Sequence, residues 1–458
     1  MSQPSSASLV LEDGARIAVI GGGPAGSFFS YFLLLFAERT GRSLHVDIYD
    51  PRDFWGAGPA SCNMCGGIVS ESLVESLALE GIEPPDSVVQ RGLDSYVLHT
   101  AAGTSHIETP SREMRIAAVH RGGGPKGSES GRWESFDAHL LKLALAKGAS
   151  YYCARVSQVR WNEGRPEVQI GALPPRTYDL LVGAVGVNSS DLKLFEELGF
   201  AYRRPATVKT YITELQFGAE GVRSLFGSSM HVFLLDLPRL DFAALIPKGD
   251  YVTMCMLGRE IDKELVDSFF AHPVVRACFP RDWTPPHDTC HCSPRMYFAP
   301  ARHPFADRVV LIGDAGVSRL YKDGIGAAYR SAKAAARTAV FSGVSMADFK
   351  RHYWPHCRRV ALDNSLGKVV FKVVHLMQHW RFSCAAVVRL ANAEARRPGK
   401  ARRMSAVLWD TFTGSSTYRA ILVRTLHPAF LVRLFVAHLA ALRPWPRRRA
   451  ARAPVESA

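Results

Sequence analysis

The sequence predicts an α/β fold with an antiparallel sheet inserted into it and a helical C-terminal region. Three observations lead to this prediction. Short apolar runs that are typical of strands buried on both faces occur early, in the middle and late in the first 345 residues, and glycines follow each run. Several strand-like segments lie between the second run and the third. Beyond residue 345 the apolar segments have helical length and carry many arginines.

The first run belongs to the segment RIAVIGGGPAG at residues 16–26. Gly21, Gly23 and Gly26 have the spacing G-x-G-x-x-G. At this spacing the first glycine allows a tight turn, the second lets a phosphate approach the backbone, and the third lets a helix pack on a strand. The segment therefore predicts a strand, a turn and a helix that together bind a dinucleotide.

The elements after this turn fit the same interpretation. The helix predicted over residues 24–39 would direct its first N–H groups toward a pyrophosphate. The next predicted strand, residues 44–49, is followed by Asp50, which stands 24 residues after Gly26. In dinucleotide-binding folds an acidic residue near this offset binds a ribose hydroxyl. The order of these elements predicts a Rossmann-type domain.

Length and composition set further bounds. The chain has 458 residues, 47% hydrophobic and 21% charged, which predicts two or three globular domains. The first 14 residues contain neither a basic segment nor a long apolar one, so we expect no secretory signal. The nine cysteines are an odd number and are expected to be reduced thiols in a cytoplasmic protein.

The positive charge of the chain is concentrated near one end. The formal net charge is +14, but residues 351–458 contain 20 basic and four acidic side chains, so residues 1–350 carry a net charge of −2. This asymmetry predicts contact with an anionic surface, either a membrane or a nucleic acid. We expect no nucleic acid, because the basic residues alternate with apolar helical segments and match no nucleic-acid-binding motif.

A pair of cysteines follows Asp50 in a glycine-rich loop. Cys62 and Cys65 have C-x-x-C spacing, and Gly66 and Gly67 come directly after them. Such a pair indicates half of a metal site, a redox pair or small residues buried beside a turn. The other close pair, in the segment CHC at residues 290–292, has the wrong spacing for a zinc ribbon or finger. The sequence therefore predicts no metal site.

The middle of the chain supplies the remaining strands. A helix is predicted to start near Phe136 and to end at Gly148, after which two strands belong to the Rossmann-type domain, at residues 151–159 and 178–187. The strands that follow are expected to form an antiparallel sheet and are predicted at residues 208–217, 230–235, 242–246 and 251–257.

The third apolar run returns the chain to the first domain. Residues 309–312 predict a buried strand, Gly313 and Asp314 a turn, and Gly324 and Gly326 the start of an alanine-rich helix. The N-terminus of this helix would point toward the cofactor and could stabilise negative charge there. Asp314 is a candidate ligand contact, and the alternative is an Asx turn or a helix cap.

The C-terminal region is predicted to be helical and is not predicted to cross a membrane. Its apolar stretches are interrupted by arginine and lie at residues 369–380, 406–412, 418–426 and 429–442. Two interpretations stay open: a helical cap on the protein, or helices that lie in a bilayer interface with their arginines directed outward. The last residues, RPWPRRRAARAPVESA, are predicted to be disordered.

Three blocks stand in one order: GGGPAG at residues 21–26, DLLVGAVG at 179–186 and VLIGDA at 310–315. This order resembles the FAD-dependent oxidoreductases of the aromatic-hydroxylase type, and within them most closely the geranylgeranyl reductase family. The run CGGI from Cys65 is similar to that family's Cys-Gly-Gly loop near the flavin. The segment FAALIPKG at residues 242–249 stands where the family has a Tyr-x-Trp-x-Phe-Pro strand. The resemblance covers roughly residues 15–345.

The departures from the family pattern concern the substrate and the reductant. Ala244 replaces a tryptophan and Ile246 a phenylalanine, which implies a different substrate cavity. Val185 and Gly186 stand where the hydroxylase branch has Asp-Gly, a motif associated with pyridine nucleotide and flavin contact. NAD(P)H is therefore only one possible reductant. The W-x-W-x-I-P motif of the related halogenases is absent from the sequence.

The resemblance implies FAD as the cofactor and a set of residues that bind it. Cys65 is implied as the proton donor in catalysis. The implied cofactor-binding residues are Gly21, Gly23, Ala25, Gly26, Asp50, Cys65, Gly66, Gly67, Arg132, Gly313, Asp314, Gly326 and Ala327. The implied FAD-binding domain is discontinuous and comprises residues 12–75, 110–200 and 295–345. The substrate domain would comprise residues 76–109 and 201–294, and the basic helical region residues 346–458.

The implied function is an FAD-dependent oxidoreductase that acts on an apolar substrate, isoprenoid or lipid-like, by reducing carbon–carbon double bonds. Two alternatives stay open: a flavin monooxygenase, and a membrane-associated electron carrier that reduces quinone. The basic region is expected to hold the protein peripherally on an anionic membrane, at the inner face, and a redox partner is possible.

Overall fold

The computed structural model describes residues 9–109, 113–128, 133–286, 289–397 and 402–442. Arg132 and the predicted disordered tail lie outside the described residues. The strands, in chain order, are β1 Arg16–Ile20, β2 His45–Tyr49, β3 Ile68–Val69, β4 Val89–Leu93, β5 Ser95–Thr100, β6 Gly103–Glu108, β7 Ile116–Val119, β8 Ser150–Tyr152, β9 Gln158–Asn162, β10 Arg165–Gln169, β11 Arg176–Thr177, β12 Leu180–Gly183, β13 Ala206–Lys209, β14 Tyr211–Gln216, β15 Ser229–Leu234, β16 Leu240–Pro247, β17 Tyr251–Gly258, β18 His291–Cys292, β19 Arg295–Ala299, β20 Phe305–Ala306 and β21 Val309–Leu311.

The helices, in chain order, are α1 Pro24–Arg39, α2 Glu71–Leu79, α3 Phe136–Ala146, α4 Leu192–Glu197, α5 Gly218–Phe226, α6 Lys263–Ala271, α7 Pro273–Arg276, α8 Gly324–Phe341, α9 Met346–Asp348, α10 Trp354–His379, α11 Arg381–Ala395, α12 Arg403–Thr413, α13 Tyr418–Thr425 and α14 Pro428–Leu442. Gly313–Ala315 forms a 3-10 turn and Phe349–Tyr353 a π-helical turn.

A six-stranded sheet forms the first layer, with strand order β20-β21-β12-β1-β2-β8. Its neighbours pair in parallel except β20, which is antiparallel to β21. The central strand β1 is apolar because both faces are covered, and Ile17 and Val19 are fully buried. Helices α1, α3 and α8 pack together in the core on this sheet. The small side chains of α8 let the aromatic side chains of α1 approach, and Phe28 contacts Tyr329 edge to face at 5.3 Å between ring centroids.

A seven-stranded sheet forms the second layer, with strand order β18-β14-β17-β16-β15-β5-β6. It is antiparallel except at the pair β15–β5, which is parallel. In this parallel pair β5 comes before α3 in the chain and β15 comes after β12, so the sheet is assembled from two separate parts of the chain. The α/β fold with an inserted antiparallel sheet and a helical C-terminal region is therefore confirmed.

Two predicted strands are interrupted in the structure. The strand predicted at 151–159 ends at Tyr152, and β9 begins only at Gln158, because the chain leaves the six-stranded sheet to form the hairpin of β9 and β10. The strand predicted at 208–217 breaks at Thr210, whose N–H and hydroxyl both donate to the carbonyl of Pro294. The break lets β13 pair with β19, while β14 joins the seven-stranded sheet.

The C-terminal helices cover one face of the seven-stranded sheet. Phe371, Trp409, Phe412 and Tyr418 are buried in one core cluster with side chains of that sheet. Trp409 is 1% exposed, stacks on Tyr96 at 6.0 Å between ring centroids, and donates its indole N–H to Glu71 at 3.2 Å. Helices α10 to α13 are therefore part of the fold, as the helical-cap interpretation expected.

Helix α14 packs differently from the four helices before it. Most of its apolar side chains are exposed. Among the described residues of this helix, Phe430 alone is buried in the core. No helix in the described ranges has both the length and the apolar character needed to cross a bilayer by itself. Helices α13 and α14 meet that criterion only when they are taken together, and their axes differ by 69°.

Candidate cofactor and substrate cavity

A cavity of about 600 Å³ lies where the carboxyl ends of the parallel strands face the seven-stranded sheet. Its lining includes Gly21 after β1, Asp50 after β2, Ala184 after β12 and Asp314 after β21. In open α/β sheets ligands bind outside the carboxyl ends of the strands. The cavity therefore lies where ligands bind in folds of this kind.

The glycine turn after β1 has the close contacts that its spacing predicts. Gly21 has a φ of +106°, and a Cβ there would lie 2.5 Å from the carbonyl oxygen of Ala184. A Cβ on Gly26 would collide with the carbonyl oxygen of Gly21, so this glycine permits the helix to pack on the strand. Gly23 caps α1 in an extended conformation, and its missing side chain leaves space beside Asn63. This turn fits a pyrophosphate at the N-terminus of α1.

Asp50 is held rigidly beside this turn. Its carboxylate accepts the N–H of Gly22 at 2.8 Å and hydrogen bonds from Arg52 at 2.9 and 3.0 Å. The side chain is buried yet belongs to the cavity lining. The carboxylate is thus oriented before any ligand arrives, which suits the predicted contact with a ribose hydroxyl.

A polar network that sequence reasoning missed extends from Arg52 along the cavity. Arg52 donates to the Asn63 carbonyl oxygen at 3.0 Å, and Asn63 donates to Asp137 at 3.0 Å. Asp137 also accepts a hydrogen bond from Arg121 at 3.0 Å. Arg121 is 6–7% exposed, lines the cavity and brings a buried positive charge close to the glycine turn. The segment HRGGG after β7 was the available signal, because it too places glycines behind an apolar strand.

Asp314 lies on the opposite side of the glycine turn. Burial raises the pKa of its carboxyl group, and the charge of Arg121 opposes part of that shift. Gly313, the residue before it, has φ of +59° and donates its N–H to the hydroxyl of Ser331. A side chain does not fit at this position, because a Cβ on Gly313 would lie only 2.8 Å from the Cβ of Ala25. Asp314 therefore remains a candidate ligand contact at the carboxyl end of β21.

The structure brings most, but not all, of the predicted site residues to the cavity. The residues that line it are Gly21, Gly23, Ala25, Asp50, Cys65, Gly66, Gly67 and Asp314. Gly26 and Gly313 lie behind the wall, where they permit close packing. Gly326 and Ala327 are also behind it, because Gly326 faces Asp323, while Gly324 and Ile325 form the lining of this helix start.

The chain before α8 has an unusual backbone conformation. Tyr321 and Asp323 have φ of +61° and +57°, values that non-glycine residues seldom adopt. Asp323 accepts hydrogen bonds from Ser70 at 2.6 Å and from Arg319 at 3.1 Å, and it also pairs with Arg330. Such conformations persist where the surroundings impose them, and they cluster at ligand sites. This loop therefore belongs to the candidate site, although no local sequence signal marked it.

Lys322 joins this loop to the C-terminal helices. Its ammonium group lies 4.5 Å from the ring centroid of Tyr418 and donates to the carbonyl of Asp410. Burial lowers the pKa of Lys322 well below its ordinary value, and the charge of Arg319 adds to this shift. Lys322, Phe412 and Thr413 all line the cavity, so the C-terminal region forms part of its wall.

The loop with Cys65 lies between the two sheets. Gly67 has φ of +69° and lies against the carbonyl of Val119, at the end of β7. A Cβ on Gly66 would lie 2.8 Å from the sulfur of Cys255 on β17. Cys65 itself is half-buried and faces the cavity that both sheets enclose.

The part of the cavity formed by the seven-stranded sheet is apolar. Ala244 and Ile246 are both in the lining, so the two departures from the family motif fall on the cavity wall. A small side chain at position 244 leaves more room than a tryptophan would. The other apolar lining residues include Ile68, Ile116, Ile212, Met230, Val232, Phe242, Leu257 and Phe412.

Comparisons with known proteins identify similar folds. No family model and no curated protein matches the sequence. A solved geranylgeranyl bacteriochlorophyll reductase-like protein from Thermoplasma acidophilum is 13% identical, with a TM-score of 0.65 over 93% of this chain and 100% of its own. A flavoprotein/dehydrogenase from Cytophaga hutchinsonii is 15% identical, with a TM-score of 0.62 and the same coverage.

A third solved structure was determined with the cofactor present. A variant of HpxO from Klebsiella pneumoniae, complexed with FAD, is 15% identical, with a TM-score of 0.56 over 87% of this chain and 98% of its own. At these identities the similarity establishes the fold alone, which this chain shares with the three solved proteins.

Proposed function

We propose that the chain is an FAD-dependent oxidoreductase that acts on an apolar, isoprenoid or lipid-like substrate. The observation that carries this proposal is the composition of one continuous cavity. Its first part combines the glycine turn, Asp50 and Arg121, which suit a dinucleotide, and its other part is an apolar wall on the seven-stranded sheet. A cofactor and an apolar molecule placed there would touch each other.

Different residues of the cavity would bind different parts of FAD. The glycine turn and the N-terminus of α1 would bind the pyrophosphate, and Asp50 the ribose next to the adenine. Arg121 would compensate phosphate charge, because the carboxylate that pairs with it among the described residues, Asp137, also accepts a hydrogen bond from Asn63. The N-terminus of α8 would place its positive dipole end at the ring system. When bound, FAD supplies hydride transfer.

The apolar wall would orient the substrate and exclude water from the reacting double bond. Reduction of a carbon–carbon double bond requires a proton at the carbon that does not accept the hydride. Cys65 is the proposed donor, since its side chain is in the cavity lining and the loop that carries it is fixed by Gly66 and Gly67. NAD(P)H or a protein redox partner would reduce the flavin.

Cys65 variants test the chemical role. We expect Cys65→Ala to keep normal FAD content and to lose most of the turnover, about 100-fold or more, as for removal of a proton donor. Cys65→Ser should retain an intermediate rate, because a hydroxyl can still donate. The measurement is single-turnover oxidation of the reduced protein by polyprenyl substrates without oxygen. Wild-type rates for both variants would exclude the catalytic role.

The same assay separates the alternative functions. A reductase saturates alkenes under anaerobic conditions, whereas a monooxygenase consumes oxygen in step with the formation of product. An electron carrier reduces quinone from an artificial donor and leaves the carbon skeleton unchanged. If purified protein shows no flavin absorbance even after incubation with FAD, the cofactor assignment itself is wrong.

We also propose that α14 docks the protein on an anionic membrane surface. Leu431, Val432, Phe435, Val436 and Leu439 are between 46% and 64% exposed and recur at the spacing of one helical face. Arg433 on the same helix and Arg419 on α13 are exposed and add positive charge to this part of the chain. Each basic residue near an anionic leaflet contributes about 1 kcal/mol. Docking would bring the cavity to a substrate that resides in the bilayer.

Liposome co-sedimentation measures this docking. We expect wild-type protein to sediment with anionic vesicles, and a variant with Val432, Phe435 and Val436 all changed to Asp to remain in solution. These side chains are exposed, so the changes should not disturb the core. A control with Leu79→Asp and Leu173→Asp, also exposed, should bind like the wild type. Equal binding of the two variants, or no binding by the wild type at low salt, would remove the proposal.

A further inference from the structure

Three potential metal ligands meet on the face of the seven-stranded sheet that is turned away from the cavity. His99 lies on β5 and His231 on β15, and these strands pair in parallel with His99 opposite Phe233. Because side chains alternate along a strand, His231 and Phe233 share a face, and His99 is on that face too. Cys278 follows α7 and reaches the pair from the helices that cover this face. No local sequence pattern indicates the cluster, since His99 and Cys278 are 179 residues apart.

The ligand atoms are already close to the separations of a metal site. His99 Nε2 lies 3.1 Å from His231 Nδ1 and 3.8 Å from the sulfur of Cys278, and all three atoms lie within 4.8 Å of one another. Metal bonds of about 2.0 Å to nitrogen and about 2.3 Å to sulfur hold trigonal ligand atoms about 3.5–3.8 Å apart. An ion could therefore enter with only small movements of the side chains.

The surroundings of the cluster are apolar. His99 stacks on Phe233 at 4.6 Å between ring centroids, and His231 contacts Phe226 at 4.9 Å. An imidazole binds a metal through the lone pair of its unprotonated ring nitrogen, and a cysteine binds it through the thiolate sulfur.

We propose that His99, His231 and Cys278 bind one thiophilic metal ion, and that Cu⁺ fits the site best. Thiolate and imidazole ligands select Cu⁺ and Zn²⁺ among common metals. One thiolate with two neutral imidazoles forms a neutral complex with Cu⁺ but leaves a charge of +1 with Zn²⁺. A net charge is costly in an apolar interior. The described residues place no carboxylate in the cluster to compensate it.

Metal binding at this cluster requires one proton to be released and one to move. Cys278 loses its thiol proton to solvent when the sulfur–metal bond forms. The imidazole proton now shared between His99 Nε2 and His231 Nδ1 moves to a ring nitrogen that faces away from the ion. Cys278 is only partly buried, so the ion and the proton have access from that side. The bound ion would tie the segment after α7 to β5 and β15.

The test uses the purified flavin-loaded protein under anaerobic, reducing conditions. Samples are incubated with Cu⁺ buffered by a competing chelator or, separately, with Zn²⁺, then desalted and analysed for metal per chain. We expect the wild type to retain one more Cu⁺ per chain than Cys278→Ser, and its melting temperature to rise only when Cu⁺ is present. Cys153→Ser, at an exposed cysteine, should behave like the wild type.

Two results would overturn the proposal. One is equal Cu⁺ retention by the wild type and Cys278→Ser. The other is retention of Zn²⁺ but not Cu⁺, which would contradict the charge argument. The Cys278 variant keeps the test decisive even if His99→Phe or His231→Phe fails to fold. The cluster lies away from the cavity, so unchanged turnover in Cys278→Ser is the expected result for a structural ion.

Discussion

Replacing Gly23 by valine is expected to leave the protein folded and nearly free of flavin. Gly23 has φ of −67° and an extended ψ, which any residue adopts, so the backbone should not be strained. The new Cβ would lie 3.2 Å from the Asn63 amide nitrogen and 3.7 Å from the nearest Arg52 nitrogen. The valine methyl groups would then occupy the space over the N-terminus of α1 that a pyrophosphate needs.

We expect FAD binding to weaken at least tenfold, which corresponds to a loss of about 1.4 kcal/mol of binding free energy. The measurement is the ratio of flavin to protein absorbance after desalting, together with a titration of apoprotein by FAD. Gly23→Ala adds a single methyl group and should lose less flavin than Gly23→Val. Far-ultraviolet circular dichroism checks that each variant is folded. A Gly23→Val variant with full flavin content would refute the assignment of the glycine turn.

Replacing Trp409 by alanine is expected to cause a large loss of stability. The side chain is buried against Tyr96 and its N–H is bonded to Glu71, so truncation leaves a cavity and removes one hydrogen bond from the Glu71 carboxylate. Removal of a buried tryptophan typically costs about 3–5 kcal/mol. The effect should also reach the ligand site, because Phe412 and Thr413 on the same helix line the cavity.

Trp380→Ala provides the matched control, since this tryptophan is 50% exposed. Surface substitutions usually change the free energy of unfolding by less than about 0.5 kcal/mol. The melting temperature and the flavin content of both variants are the quantities to compare. Similar melting temperatures would show that α12 contributes little to the core, contrary to the packing described above.

The sequence predicted those parts of the molecule whose causes are local. The bounds of α1, residues 24–39, follow from Pro24 at its start and from the glycines before it, and the structure has the same bounds. The strands of both sheets carry their own apolar pattern, so most of them were predictable. The breaks at Tyr152 and Thr210 were not, because pairing partners far along the chain impose them.

The site was predictable only where a single segment builds it. The glycine turn, Asp50 and the Cys65 loop carry recognisable patterns. The glycines after Arg121 are a local signal for that residue, but its orientation depends on Asp137. The strained loop at Asp323 depends on distant Ser70 as well as on nearby Arg319, so local sequence alone does not predict its conformation. The wall that α12 contributes was missed for the same reason: nothing near Phe412 points to a ligand.

The contact of Lys322 with Tyr418 and Asp410 has a consequence for biosynthesis. The loop that begins α8 is fixed by residues that leave the ribosome about 90 positions later. A nascent chain that has emerged only as far as α8 contains the complete glycine turn but lacks one wall of the cavity. Cofactor loading is therefore expected to be a late, post-translational step, and prematurely terminated chains would be released as colourless protein and become substrates for proteolysis.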